Sequence, residues 1–191
     1  VHVSDRPFSR FPVPELDEVP NDLRERILEV QERTGFVPNV FLALAHRPDE
    51  LRAFIAYHDA LMERDSGLSR AEREMVVVVT SARNQCLYCV VSHGAVLRIR
   101  AKDPLLADKV AVDHHAADLP PRQVAILDFA LQVAAAAHTV SDDDVAALAT
   151  HGLSLDDVWD VGAIAAFFAM SNRLAGLGAM RPNDEFYALG R

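Results

Sequence analysis

The chain has 191 residues, half of them hydrophobic and a quarter charged, with a net charge of −9. That is a globular composition, long enough for a core without disulfide staples, and its acidic balance argues against nucleic acid and anionic membrane surfaces as partners. The opening residues lack the apolar segment of a secretory signal, and no run of roughly 18 apolar residues exists to span a bilayer, so a cytosolic chain is expected.

Residues 1–20 carry Pro7, Pro12, Pro14 and Pro20 among Phe8, Phe11, Val13 and Leu16. Proline at this density forbids a helix, so an extended arm is expected, packed on its own chain, packed on a partner subunit, or frayed. From Asn21 the signals turn helical. Leu23, Ile27, Leu28 and Val30 have near-helical spacing and Gly35 stops that helix. A short helix follows from Pro38-Asn39 to about His46, and Pro48 opens a longer one that ends at Ser66-Gly67. Ser69 with Glu72 makes a capping box. The four valines at 76–79 read as a buried helix rather than a strand, because a strong cap precedes them. Asn84-Gln85 ends that helix, and a new one runs from about Cys86 to Arg100.

Helical segments are expected again from Pro104 to His114, after Pro120-Pro121 to about His138, from Ser141 to His151-Gly152, and from Ser154 to about Gly176, with serine caps on the last two. Trp159 and the Phe167-Phe168 pair read as core or subunit interface. No strand alternation appears, so the expected fold is all-α with about eight to ten helices. The domain reading is an arm over 1–20 and one helical domain over 21–191. No glycine-rich phosphate loop follows a strand, so no nucleotide cofactor is expected.

Chemistry concentrates in one place. Cys86 and Cys89, the only cysteines, are spaced Cys-x-x-Cys, with His93 four residues on and Glu74 on the preceding helix. Residues three apart on a helix have Cα atoms about 5 Å apart, within the reach of a disulfide. His93 lies one turn beyond Cys89 on the same face. Glu74 meets this face only if the two helices pack side by side. A helix N-terminus at Cys86 and an imidazole near Cys89 each favour a thiolate. The expected order makes Cys89 the attacking thiol, activated by His93 under the control of Glu74, and Cys86 the resolving thiol. The reverse order stays open. Such a pair reduces a peroxide through a sulfenic acid, closes to a disulfide, and is reset by a dithiol donor. Zinc held by Glu74, Cys86, Cys89 and His93 is an alternative, as is a pair of cysteines that merely pack. Tyr88 either lines the substrate pocket or packs. His46, His58, His138 and His151 read as surface or capping residues, and His114 and His115, adjacent on a helix, are expected to point apart.

The pattern Glu-x11-Cys-x-x-Cys-x3-His, matched by Glu74, Cys86, Cys89 and His93, resembles that of the alkylhydroperoxidase D and carboxymuconolactone decarboxylase superfamily. The core of the resemblance covers residues 68–100. A wider similarity, to a peroxidase-related branch, rests on Gly35-Phe-Val-Pro-Asn-Val-Phe41, on Leu68 to Glu74, and on Asn172-Arg-Leu-Ala. It implies an AhpD-like helical fold in which an antiparallel helix hairpin carries the cysteines, here with an N-terminal helical extension. It further implies a homo-oligomer (dimer, trimer or hexamer) and peroxidase activity with no haem, flavin or other cofactor and no metal. In the alkylhydroperoxidase D proteins the dithiol reductant is a lipoylated partner. Decarboxylase members lack the cysteine pair, so its presence speaks against that activity. A thiol–disulfide oxidoreductase without peroxide preference, and a non-catalytic helical protein, are the competing functions.

Overall fold

A computed structural model describes residues 7–191, so residues 1–6 of the expected arm lie outside it. Ten α-helices follow in order: α1 (Asn21–Thr34), α2 (Asn39–Leu44), α3 (Pro48–Met62), α4 (Arg70–Arg83), α5 (Leu87–Ala101), α6 (Leu106–Asp113), α7 (Pro121–Ala136), α8 (Asp142–Ala149), α9 (Leu155–Leu177) and α10 (Glu185–Ala188). Short 3-10 turns at 114–116 and 137–139 close α6 and α7. There is no strand among the described residues, as the all-α reading requires. No described helix is long and apolar enough to cross a membrane. The single turn α10 carries too few residues for a periodic signal and went unforeseen.

The centre of the molecule is α4. Every residue from Glu72 to Ser81 is buried, including all four valines. Ser69 fixes its start: the Ser69 hydroxyl accepts the Glu72 N–H at 3.1 Å, and the Glu72 carboxylate accepts the Ser69 N–H at 2.8 Å. Side chains from α5, α6, α7 and α9 close around it, with Leu97, Ile126, Leu127, Ile164 and Phe168 fully buried. The helical cost of β-branched residues is a few tenths of a kcal/mol each, against roughly 1.5–3 kcal/mol for burying each valine. Burial therefore decides the helix.

Inside this apolar centre sits one charged cluster. Arg73, 1% exposed, donates to the carbonyls of Leu61 and Arg64 and to the Ser66 hydroxyl, and lies 3.5 Å from Asp160 Oδ2. Asp160, fully buried on α9, also holds Arg64 at 3.1 Å. The cluster ties the α3–α4 link to α9 and so fixes the heights of α3 and α9 against α4.

The α4–α5 turn positions the cysteines. Asn84 caps α4 and Gln85 adopts a left-handed conformation with φ 56°. The Gln85 N–H donates to the Ala82 carbonyl at 3.0 Å and the Cys86 N–H to the Ser81 carbonyl at 2.9 Å. This is the paired bonding of a Schellman stop, made with glutamine where glycine is usual. Cys86 both completes that stop and caps α5. The chain thus reverses in two residues and lays α5 alongside α4.

Helices α1–α3 form a second layer with its own cluster of Val19, Leu23, Ile27, Ala45 and Leu51. Phe54 and Tyr57 of α3 pack on Phe167 of α9, with ring centroids 4.9 and 5.3 Å apart. Pro38, at the head of α2, has no side chain to cap the first amides. Asn183 takes the Asn39 N–H at 2.8 Å, and the Tyr88 hydroxyl takes the Val40 N–H at 3.0 Å. Residues 7–20 contain no helix and pack on this same chain. Arg10 N–H donates to the Gly178 carbonyl at 2.6 Å, Arg181 N–H to the Phe8 carbonyl at 3.1 Å, and Phe11 stacks on His46.

Of the core-or-interface alternatives, Phe167 and Phe168 are buried in the core, while Trp159 is 72% exposed on α9, which excludes only the core alternative for it. One sequence expectation fails. His114 and His115 do not diverge, because the helix tightens into a 3-10 turn there. Both Nε2 atoms reach Asp128 Oδ1, at 2.8 and 3.0 Å.

Replacing Asp160 by Asn keeps the shape and leaves the Arg73 charge buried without its counter-charge. Removing one partner of a buried pair costs about 3 kcal/mol or more. The expected result is a denaturant midpoint lowered accordingly at unchanged slope; an unchanged midpoint would show that the cluster adds nothing to stability.

Candidate active site

The hairpin brings the four motif residues to one region. His93 Nδ1 lies 2.9 Å from Glu74 Oε2, so the helices do pack side by side and the carboxylate holds one ring nitrogen. Phe168 of α9 stands edge-on to the imidazole at 4.7 Å between ring centroids. Among the described residues, no hydrogen bond joins His93 to either sulfur. Both cysteines are free thiols and buried, Cys89 to 2% exposure.

The two thiols differ in kind. Cys86 caps α5 and its acidity is raised, with its pKa brought down to about 7. The largest cause is the Cys89 thiol, which donates to its sulfur; the backbone N–H groups of Cys89 and Tyr88 and the Asn172 side chain add to this, against burial. Cys89 is pushed up, first because it is the donor to Cys86, then by burial. The expected acidity of Cys89 under His93 is therefore not what the geometry produces. A sulfur at a helix cap meets amide dipoles directly, whereas one turn further in those amides are already bonded within the helix.

A cavity of about 510 Å³ opens onto Cys89, Tyr88, His93 and Glu74, but not onto Cys86. Its walls come from both layers: Val30 of α1, Phe41 of α2, Phe54 and His58 of α3, Cys89 and His93 of α5, Phe168 and Ser171 of α9. A larger groove of about 710 Å³, between the arm, α2, α3 and α9, holds none of the motif residues. Tyr88 combines its two expected roles: it borders the cavity and packs, its hydroxyl bound by the Val40 amide. Burial raises its pKa, so it stays neutral.

Three residues enter the site without a distinct sequence signal of their own. Asn172 accepts from Asn84 at 2.9 Å, donates to the Ser81 hydroxyl at 3.0 Å, and its side chain lies near enough to favour the charged form of both thiols. Ser171, its neighbour, acts in the same direction on Cys89. His58, expected at the surface, lines the cavity with its ring 6.4 Å from that of His93. Its Nδ1 bonds Asp59 at 3.0 Å, and Asp59 is held in turn by Arg26 at 2.9 Å. His58 and Arg26 keep the Asp59 carboxyl below its usual range despite partial burial. Only the Asn172-Arg-Leu-Ala match to the resembled family pointed toward any of the three.

Among the described residues, the side chains spaced like metal ligands are His114, His115 and Asp128. Glu74, Cys86, Cys89 and His93 do not converge in that way. Their arrangement suits proton and sulfur chemistry: an acidic thiol, a second thiol sharing its proton, and an imidazole oriented by a buried carboxylate.

Residues 48–104 match the carboxymuconolactone decarboxylase family. An AhpD-core, peroxidase-related protein of Ralstonia eutropha is 63% identical over 97% of this chain and 98% of its own, with a TM-score of 0.96. A peroxidase-related protein of Silicibacter is 36% identical over 99% of this chain and all of its own, with a TM-score of 0.92. Bovine Sestrin-2 is 31% identical over 100 residues, 51% of this chain. The chain spans about a fifth of the length of the curated relatives it matches, 21% for that protein. Given the helical hairpin, the Glu74–His93 contact and these likenesses, this chain belongs to the alkylhydroperoxidase D and carboxymuconolactone decarboxylase superfamily, among its peroxidase-related members.

Proposed function

We propose that this protein is a thiol-dependent peroxidase that reduces organic hydroperoxides with the Cys86–Cys89 pair. The observation that carries the reading is the joint placement of Cys89 and the Glu74–His93 pair on one cavity, with an acidic Cys86 thiol three residues away. The peroxidase-related descriptions of the two similar structures support it.

In the resting pair Cys86 carries the charge and Cys89 the proton, shared between the sulfurs. As a peroxide enters, that proton passes to Cys86 and the Cys89 thiolate attacks the terminal peroxide oxygen. The O–O bond breaks, Cys89 becomes a sulfenic acid, and the leaving alkoxide takes a proton from the protonated His93, which Glu74 orients. Cys86 then attacks the Cys89 sulfur; the S–S bond forms and water leaves with the Cys86 proton. One peroxide and the two thiols thus yield an alcohol, water and a disulfide. An external dithiol, of which a lipoylated protein is the type implied by the resemblance, restores the thiols by exchange. On this reading Cys89 attacks because it borders the cavity, although Cys86 is the more acidic. A homo-oligomer belongs to the same proposal, and the exposed Leu155 and Trp159, one turn apart on α9, suit a subunit contact.

Peroxide consumption with a dithiol donor tests this. Cys89→Ser is expected to abolish turnover, and Glu74→Gln to slow it by about ten- to a hundredfold through the loss of a histidine-orienting carboxylate. Full activity in both variants would refute the mechanism. Turnover of small disulfides with none of peroxides would instead favour a thiol–disulfide oxidoreductase.

The acidities make a second prediction. A pKa lowered to about 7 leaves Cys86 thiolate above that pH and thiol below it, so about half is ionised at pH 7. Alkylation by iodoacetamide, followed by mass spectrometry, should rise at Cys86 with a midpoint near pH 7, and at Cys89 only at much higher pH. Asn172→Ala should move the Cys86 midpoint upward. If Cys89 were alkylated first, the charge assignment within the pair would be wrong.

A further inference from the structure

The cavity that holds Cys89 is bordered by three arginines, Arg26, Arg33 and Arg100, and three carboxylates, Asp59, Glu63 and Glu74. Each carboxylate already has its counter-group. Asp59 is bonded to Arg26 at 2.9 Å, Glu63 to Arg70 at 2.6 Å, and Glu74 to His93 at 2.9 Å. Arg33 and Arg100 are left over, with no ion pair or hydrogen bond among the described residues. Both are exposed, in the last turns of α1 and α5. In a chain of net charge −9, two unmatched cations on the rim of one apolar cavity make a local anion-attracting mouth.

The interior is of the opposite character. Val30, Phe41, Phe54, Ile55 and Phe168 supply apolar wall to the same cavity that Cys89, Arg33 and Arg100 border. At about 510 Å³ the cavity falls in the range that encloses a drug-sized ligand, far more than hydrogen peroxide needs. An apolar wall with a few convergent polar groups selects a ligand of matching polarity. Arginine is well suited to a carboxylate, which it binds through paired N–H donors.

We propose that the cavity takes an amphipathic carboxylate: an organic hydroperoxide whose apolar body lies along the cavity wall and whose carboxylate is met by Arg33 and Arg100. The identity of the reacting group rests on the peroxidase reading above; the carboxylate preference does not. The same arginines also offset the dipoles of α1 and α5 at their C-termini, a role that requires no ligand preference.

Two measurements test the proposal separately from the peroxidase reading. The first is calorimetric binding of decanoate, which cannot be reduced, against 1-decanol of the same length. Wild-type protein is expected to bind decanoate about tenfold or more tightly than the alcohol, and the Arg33→Gln/Arg100→Gln double variant to lose that difference. Equal affinity for the two, or a preference kept by the variant, would overturn it. The second is the ratio of kcat/KM for a fatty-acid hydroperoxide to that for its methyl ester. It is expected to exceed one in the wild type and to fall about tenfold in the double variant. Decanoate preference without turnover of any hydroperoxide would uphold the binding site and sink the peroxidase reading. Turnover of tert-butyl hydroperoxide without carboxylate preference in either assay would do the reverse.

Discussion

The two-residue reversal between α4 and α5 is the constraint on which the site depends. Asn84 and Gln85 leave no slack, so α5 must lie against α4 in one register. That register alone carries His93, nineteen residues beyond Glu74, to within 2.9 Å of it. Gln85 adopts its left-handed φ of 56° without the freedom of glycine, at a cost of roughly 1–2 kcal/mol. Backbone strain of this kind persists where surrounding structure over-determines it, and here the buried α4 and the two Schellman hydrogen bonds do so. The same turn makes Cys86 the cap of α5, which exposes its sulfur to amide dipoles that Cys89 does not reach. One local geometry thus sets both the acid–base partner and the inequality of the thiols.

Around that hairpin the two layers divide the work. The α4–α9 layer supplies rigidity: the buried Arg73–Asp160 cluster ties its helices together within a largely apolar core, and Asn172 reaches from α9 to Ser81 beside the thiols. The α1–α3 layer supplies enclosure. Without it Cys89 and His93 would open to solvent, where the electrostatic effect of a carboxylate on an imidazole is weakened. It also brings its own polar chain, Arg26–Asp59–His58, to the wall facing His93. The Tyr88 hydroxyl bonded to the Val40 amide links the layers beside the cysteines.

Much of this was legible in the chain itself, for identifiable reasons. Serine caps at 69, 141 and 154, prolines at 48 and 121, and glycines at 35 and 152 are local signals, and the helices begin and end near them. The motif spacing was equally readable, because residues three and four apart on a helix share a face whatever surrounds them. Glu74 and His93 were candidates on the same grounds, though their meeting depended on the reversal at Gln85. Other residues belong to a different class. Trp159 was left between core and subunit interface, and its exposure on the first turns of α9 excludes the core. His58 was assigned outside on type, yet it borders the cavity because α3 packs across α9.

What the sequence by itself determined is therefore local and periodic: helix limits, the all-α class, and one thiol–imidazole–carboxylate motif of family spacing. The tertiary structure alone decided which groups share an environment. It placed Asn172 beside the thiols, His58 on the cavity with His93, the lowered pKa on Cys86 rather than Cys89, and Arg33 and Arg100 on one cavity unmatched. The physical reason is common to all four. Ionisation, solvation and pairing depend on distances between groups far apart in the chain, and nothing in the spacing of residues 26–33, 58, 86–100 and 171–172 encodes those distances until the helices have packed.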